Sequence, residues 1–182
     1  ESQRLDGLLQ MFAPGDHHID GVLIPDFNLH FICAAEQYLL HSGDEETIEY
    51  IFPAIQRALQ WFARQIGPNG LLVDLPYWHF IEWANVGRRG ESATVNAMYV
   101  GALRAAAALA DALDSRRVAK RYRAAAARVA SSLVQRHWSA GRGAYVDSVD
   151  PITGCQDDRI SQHANAAMIY WEIAPPDRWA QI

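Results

Sequence analysis

Three asparagines, Asn28, Asn96 and Asn165, recur 68 and 69 residues apart, each near the start of a segment that is apolar or small almost all round. The text around them echoes itself, with Val95-Asn96-Ala97-Met98-Tyr99 set against Ala164-Asn165-Ala166-Ala167-Met168. The three segments, 27–40, 93–113 and 160–171, read as helices buried on more than one face. Between them lie two amphipathic stripes. One runs Ile48, Ile51, Phe52, Ile55, Leu59, Phe62, Ile66, and the other Val118, Tyr122, Ala125, Val129, Leu133. Asp44 is placed to cap the first stripe, with Glu45 and Glu46 favourable at the positive end of its dipole. Pro53 lies inside that stripe and predicts a kink or two consecutive helices. Pro175-Pro176-Asp177 predicts the opening of a further helix. A period this long is a helical hairpin plus a long loop, not a short solenoid repeat. Three hairpins of inner and outer helices in series imply an all-α fold, an α/α toroid.

Composition narrows the function classes. The chain has 182 residues, 50% of them apolar and 10% aromatic, enough for a core and too much for disorder. Purely apolar stretches such as 105–110 fall far below the ~20 residues a membrane span requires. A net charge of −5 argues against nucleic acid and against an anionic membrane surface as partners. Cys33 and Cys155 give neither a disulfide framework nor a metal spacing, so no metal or cofactor is expected. The expected compartment is the cytoplasm, with secretion left open. The chain begins at Glu1 without Met and ends at Ile182 inside an apparent helix, so residues 1–182 are expected to be part of a longer protein. An open torus would expose inner-helix surface and is expected to self-associate or to pack on the rest of its parent chain.

In a toroid of this kind the loops entering the inner helices share one rim, and here those loops are long and chemically rich. In the first, Asp26 precedes a buried helix and is either its N-cap or a ligand contact. His17 and His18 lie in a Gly- and Asp-containing turn and read as solvated. The second carries Tyr77, Trp78, His79, Phe80, Glu82 and Trp83. Aromatic faces beside a carboxylate suit carbohydrate, whose apolar face stacks while its hydroxyls bond acid oxygens. The same residues could equally plug the helix ends, with Glu82 as a cap or salt-bridge partner. The third carries Ser161, Gln162, His163 and Asn165 at the opening of a buried helix. These either satisfy each other and nearby backbone or point at a ligand. There is no phosphate-binding glycine loop and no Gly-x-Ser-x-Gly elbow.

Several stretches resemble one family in order and spacing. They are Ile24-Pro25-Asp26-Phe27-Asn28-Leu29, Ser42-Gly43-Asp44, Leu59-Gln60-Trp61-Phe62, Gly70-Leu71-Leu72, Phe80-Ile81-Glu82-Trp83, Asn96-Ala97-Met98-Tyr99 and Ser161-Gln162-His163-Ala164-Asn165-Ala166. Together they resemble the catalytic domain of bacterial α-L-rhamnosidases, glycoside hydrolase family 78. The resemblance implies about half of an (α/α)6 six-hairpin barrel and inverting hydrolysis of terminal α-L-rhamnosides. The ligand would be a rhamnose-containing oligosaccharide or glycoside. An inverting mechanism needs a general acid and a general base ~6.5–9.5 Å apart. In the family both lie outside the segment this chain matches, so the catalytic residues are expected elsewhere. The candidates for substrate binding are Asp26, Phe27, Asn28, Trp78, Glu82, Trp83, His163 and Asn165. The family more often has Asp where Glu82 stands, and one extra methylene would move that carboxylate. The alternatives are another toroid carbohydrate enzyme, such as a different glycosidase or a sugar epimerase, and a non-catalytic carbohydrate-binding or assembly module.

Overall fold

The computed structural model describes residues 3–11 and 22–182. His17 and His18 lie outside the described residues. Among those described, the α-helices are α1 (Pro25–Ser42), α2 (Glu45–Ala63), α3 (Ala93–Ala112), α4 (Arg116–Arg136) and α5 (Gln162–Tyr170). They form two complete hairpins and the inner helix of a third, a partial α/α toroid. The helix expected from Pro175 is a single 3-10 turn, Pro176–Arg178. The Arg178 guanidinium lies over the Trp138 ring, 4.3 Å from its centroid, and the Trp179 indole donates to the Ala174 carbonyl at 2.8 Å. These contacts fold the segment back onto the core.

Local chemistry sets the helix ends. Gly43 closes α1 with a left-handed φ of +67° and donates to the Leu39 carbonyl at 2.8 Å. Asp44 then caps α2, accepting from the Thr47 N–H at 3.0 Å, the Thr47 hydroxyl at 2.6 Å and the Tyr38 hydroxyl at 2.7 Å. These hydrogen bonds, the Thr47 hydroxyl's foremost, push its pKa down to about 2. Pro53 does not divide α2, which runs unbroken. Pro53 and Glu49 both lie on the exposed face of α2, which runs on without the one backbone bond that Pro53 cannot donate.

Helix α3 is the centre of the molecule and packs against α1, α2, α4 and α5. Its small residues permit this closeness. A Cβ on Gly101 would lie 2.6 Å from the Trp171 ring. By length and composition α3 could cross a membrane, but 83% of that apolar window is buried in the fold, as for a core helix.

The repeated asparagines explain the period. Each sits in the first turns of an inner helix and grips one residue of the segment before it. Asn28 accepts from the Leu9 N–H at 2.7 Å and donates to the Leu9 carbonyl at 3.1 Å. Asn96 does the same to Leu72 at 2.8 and 3.1 Å, and Asn165 to Tyr145 at 2.9 and 2.9 Å. Each amide also donates to a carbonyl four residues back, of Ile24, Ser92 or Ser161. The gripped residue always ends a tiny antiparallel hairpin: Gln3 with Leu9, Ile66 with Leu72, and Trp138 with Tyr145. Gly7, Gly70 and Gly143 turn these hairpins with φ of +107°, +78° and +63°. The ribbon β2 (Trp138–Ser139) with β3 (Ala144–Tyr145) is the third of them. A second ribbon, β1 (Glu91–Ser92) with β4 (Ser148–Val149), joins the second and third loops.

Under that ribbon the Glu91 carboxylate is buried and accepts from Asn69 at 2.8 Å and from the Arg136 guanidinium at 2.6 Å. The Nε2 of His137, also buried, donates to the Glu91 carbonyl at 2.6 Å.

Two predictions follow from these buried groups. Replacing Asn96 with Ala leaves the Leu72 N–H and carbonyl buried without partners, and should cost about 2–5 kcal/mol at unchanged urea m-value; a loss well below about 1 kcal/mol in urea unfolding contradicts the clamp. For His137, burial holds the pKa below its ordinary value. The unfolded chain therefore binds the proton more readily, and stability is lost as pH falls below about 6.5 toward the folded value. Thermal unfolding between pH 7 and pH 5 should show this decline, and His137→Gln should flatten it.

Candidate functional site

The N-terminal ends of α1, α3 and α5 border one rim: Asp26 of α1, Ser92 at the N-cap of α3 and His163 of α5 all approach the loop 74–90. That loop has almost no regular structure, so its backbone groups need partners from elsewhere. The carboxylate of Asp26, in the first turn of α1, accepts from the Phe80 N–H and the Ile81 N–H, each at 3.1 Å. The N-cap of α1 is Ile24, with Pro25 in the first turn, so Asp26 is not the cap that its position suggested. From the other side, the Arg88 guanidinium donates to the carbonyls of Phe80, Glu82 and Ala84. His79 bonds the Arg88 carbonyl at 3.1 Å, and Asp74 accepts from the Gly90 N–H at 2.6 Å.

The third loop is tied in by a second buried carboxylate. Asp147 accepts from the Gly87 N–H at 2.9 Å and the Ser161 N–H at 2.7 Å. Arg159 donates to the Asn85 side chain at 3.2 Å while pairing with Asp157. The Arg159 guanidinium holds the Asp157 carboxyl below the usual carboxylate range.

Held in this way, the loop displays an aromatic cluster. Phe80 is its hub, 6.2 Å from the Phe27 ring, 5.6 Å from Trp78 and 5.2 Å from Trp83, all edge-on. Trp78 and Trp83 lie 5.9 Å apart. The cluster is not a plug, since Trp83 remains 80% exposed and Trp78 46%. Beside it, one Glu82 oxygen accepts from the Trp83 N–H at 2.6 Å and the other lies 3.5 Å from His163 Nε2. Both side chains are partly exposed.

The structure therefore brings Phe27, Trp78, Glu82, Trp83 and His163 together around Phe80. It does not place Asn28 or Asn165 among them, since both are buried with their amides committed to Leu9 and Tyr145. Asp26 lies beneath the loop. Ser161 is the N-cap of α5, accepting from the Ala164 N–H at 3.1 Å. Sequence reasoning did not anticipate Arg88 or Asp147, whose partners are backbone groups of irregular loops and leave no pattern. Among the described residues no group of three or more His, Cys, Asp or Glu side chains could hold a metal ion.

Loss of Arg88 should loosen this loop without unfolding the core. Arg88→Ala is expected to speed chymotryptic cleavage at 77–83 several-fold, with a change in Tm of only a few degrees. Equal cleavage rates in both proteins argue against the clamp.

The chain matches the family described as the bacterial alpha-L-rhamnosidase 6 hairpin glycosidase domain over residues 1–181. Its fold is similar to that of the GH78 family rhamnosidase of Bacillus sp. GL1, with a TM-score of 0.80 and 27% identity, over 87% of this chain and 17% of that one. It is also similar to a rhamnosidase from Klebsiella oxytoca solved with rhamnose bound, with a TM-score of 0.81 and 20% identity, over 98% of this chain and 34% of that one. The chain thus spans well under half the length of either structure. No curated protein matches it.

Proposed function

This chain belongs to the bacterial α-L-rhamnosidase six-hairpin glycosidase family, and from that premise we propose that its rim receives the terminal α-L-rhamnosyl unit of a glycoside. The observation that carries the reading is the solvent-facing pair Trp78 and Trp83 beside the Glu82–His163 pair. An exposed indole face offers apolar contact to a sugar ring, and a carboxylate at its edge accepts hydroxyl hydrogens. His163, at the start of α5, lies 3.5 Å from the Glu82 oxygen that the Trp83 N–H does not use. The Klebsiella oxytoca rhamnosidase with rhamnose bound supports a rhamnose unit as the occupant.

Hydrolysis itself, with inversion, is assigned to a longer protein of which residues 1–182 form one part. In this reading the general acid and general base come from outside these residues. The chain alone binds and does not cleave.

The test is Trp83→Ala in that longer protein, assayed on an aryl α-L-rhamnoside. Loss of one stacking face should raise KM about tenfold, with a smaller effect on kcat. Unchanged KM and kcat would remove Trp83 from the site.

A further inference from the structure

We infer that Asp26 is a positioning residue: its buried carboxylate holds the 77–83 loop in its ligand-receiving shape and touches no sugar itself. The inference rests on the reading of the rim as a sugar site. Asp26 is 1% exposed, so a ligand in the rim cannot reach it. Its two oxygens are matched to two consecutive backbone N–H groups, those of Phe80 and Ile81, each at 3.1 Å.

Successive N–H groups face one anion where the backbone turns tightly. Ile81, which carries the second of these N–H groups, continues the turn with a φ of +43°. For a β-branched side chain this conformation is unfavourable and must be imposed by its surroundings. The Asp26 carboxylate on the Ile81 N–H and the Arg88 guanidinium on the flanking Phe80 and Glu82 carbonyls hold it there. An amide in the same place offers one acceptor and would set its NH2 against the second N–H. The α1 N-terminus, where Asp26 sits, favours the negative charge.

The consequence reaches the ligand face through Phe80 and Glu82. Phe80 is the ring on which both Trp78 and Trp83 lean. Glu82 directly follows the turn residue, so the direction of its carboxylate depends on the Ile81 backbone. Asp26 therefore acts on affinity from beneath the site, through Phe80 with its two tryptophans and through Glu82.

The test is Asp26→Asn, with two readouts on the chain as it stands. Hydrogen exchange at the Phe80 and Ile81 amides should speed up about tenfold or more, while the Leu72 amide held by Asn96 is unchanged. The Kd for L-rhamnose, followed by tryptophan fluorescence, should rise about tenfold. Unchanged exchange at the two amides overturns the inference. So does faster exchange with unchanged Kd, which would make Asp26 a purely structural residue. Should the variant fail to fold, the unsubstituted chain decides: Phe80 and Ile81 amides exchanging as fast as free peptide overturn the anchoring. Failure of the unsubstituted chain to bind L-rhamnose overturns the sugar reading alone, and the anchoring is then judged on the two amides.

Discussion

The fold depends on one interaction repeated three times, an asparagine amide closing on the N–H and carbonyl of a single residue. Leu9, Leu72 and Tyr145 each lie where a short hairpin ends and a loop begins. There a backbone N–H and carbonyl are about to be buried with no strand to pair them. The carboxamide acts as a surrogate strand, since it presents one acceptor and one donor in a plane. Of the side chains uncharged at neutral pH, only asparagine and glutamine set the two side by side on one carbon, and glutamine's extra methylene would lengthen the reach. For α3 and α5 the clamp fixes the start of the inner helix against the hairpin that follows the preceding outer one. This is how a linear repeat becomes a turn of a toroid.

The rim uses carboxylates where the scaffold uses amides, and the difference is one of what must be held. A hairpin end offers one N–H and one carbonyl, which suits an amide. The loops 74–90 and 146–161 offer bare N–H groups, which suit Asp26 and Asp147 as acceptors of two each. The carbonyls left over on the opposite side go to Arg88, which has only donors. Asp26 and Asp147 reach loop amides 54 to 60 residues away in the chain, while Arg88 ties the loop to itself. The rim thus takes its shape from the packing of the helices together with this local clamp.

Helices and period were legible in the sequence because apolar spacing records which face is buried. The Asp44 cap and the buried character of α3 were legible for the same local reasons. Asn28 and Asn165 were legible as a repeat but not in role, because a polar residue on a buried helix reads alike whether its partner is backbone or ligand. The hairpins of two-residue strands are too short to show alternation. The unbroken α2 shows a different limit. Whether Pro53 divides a helix depends on whether it lies on the exposed face, a property of the packed surface. Asp26 resembled a cap because its partners, Phe80 and Ile81, lie 54 and 55 residues away.

The rim loop also carries a cost that a purely structural loop would have no reason to keep. Asp74, Tyr77 and Ile81 all have positive φ, at +39°, +73° and +43°, and each such residue costs roughly 1–3 kcal/mol. Two indoles stay in contact with water as well. What this geometry achieves is the placement of Glu82. Its extra methylene relative to Asp lets the carboxylate curl back onto the Trp83 N–H with one oxygen while the other faces His163. A shorter side chain leaving the same left-handed turn would not extend as far toward α5. The length of Glu82 and the His163 contact are therefore parts of one arrangement, in which the carboxylate lies between the Trp83 N–H and an imidazole before any ligand arrives.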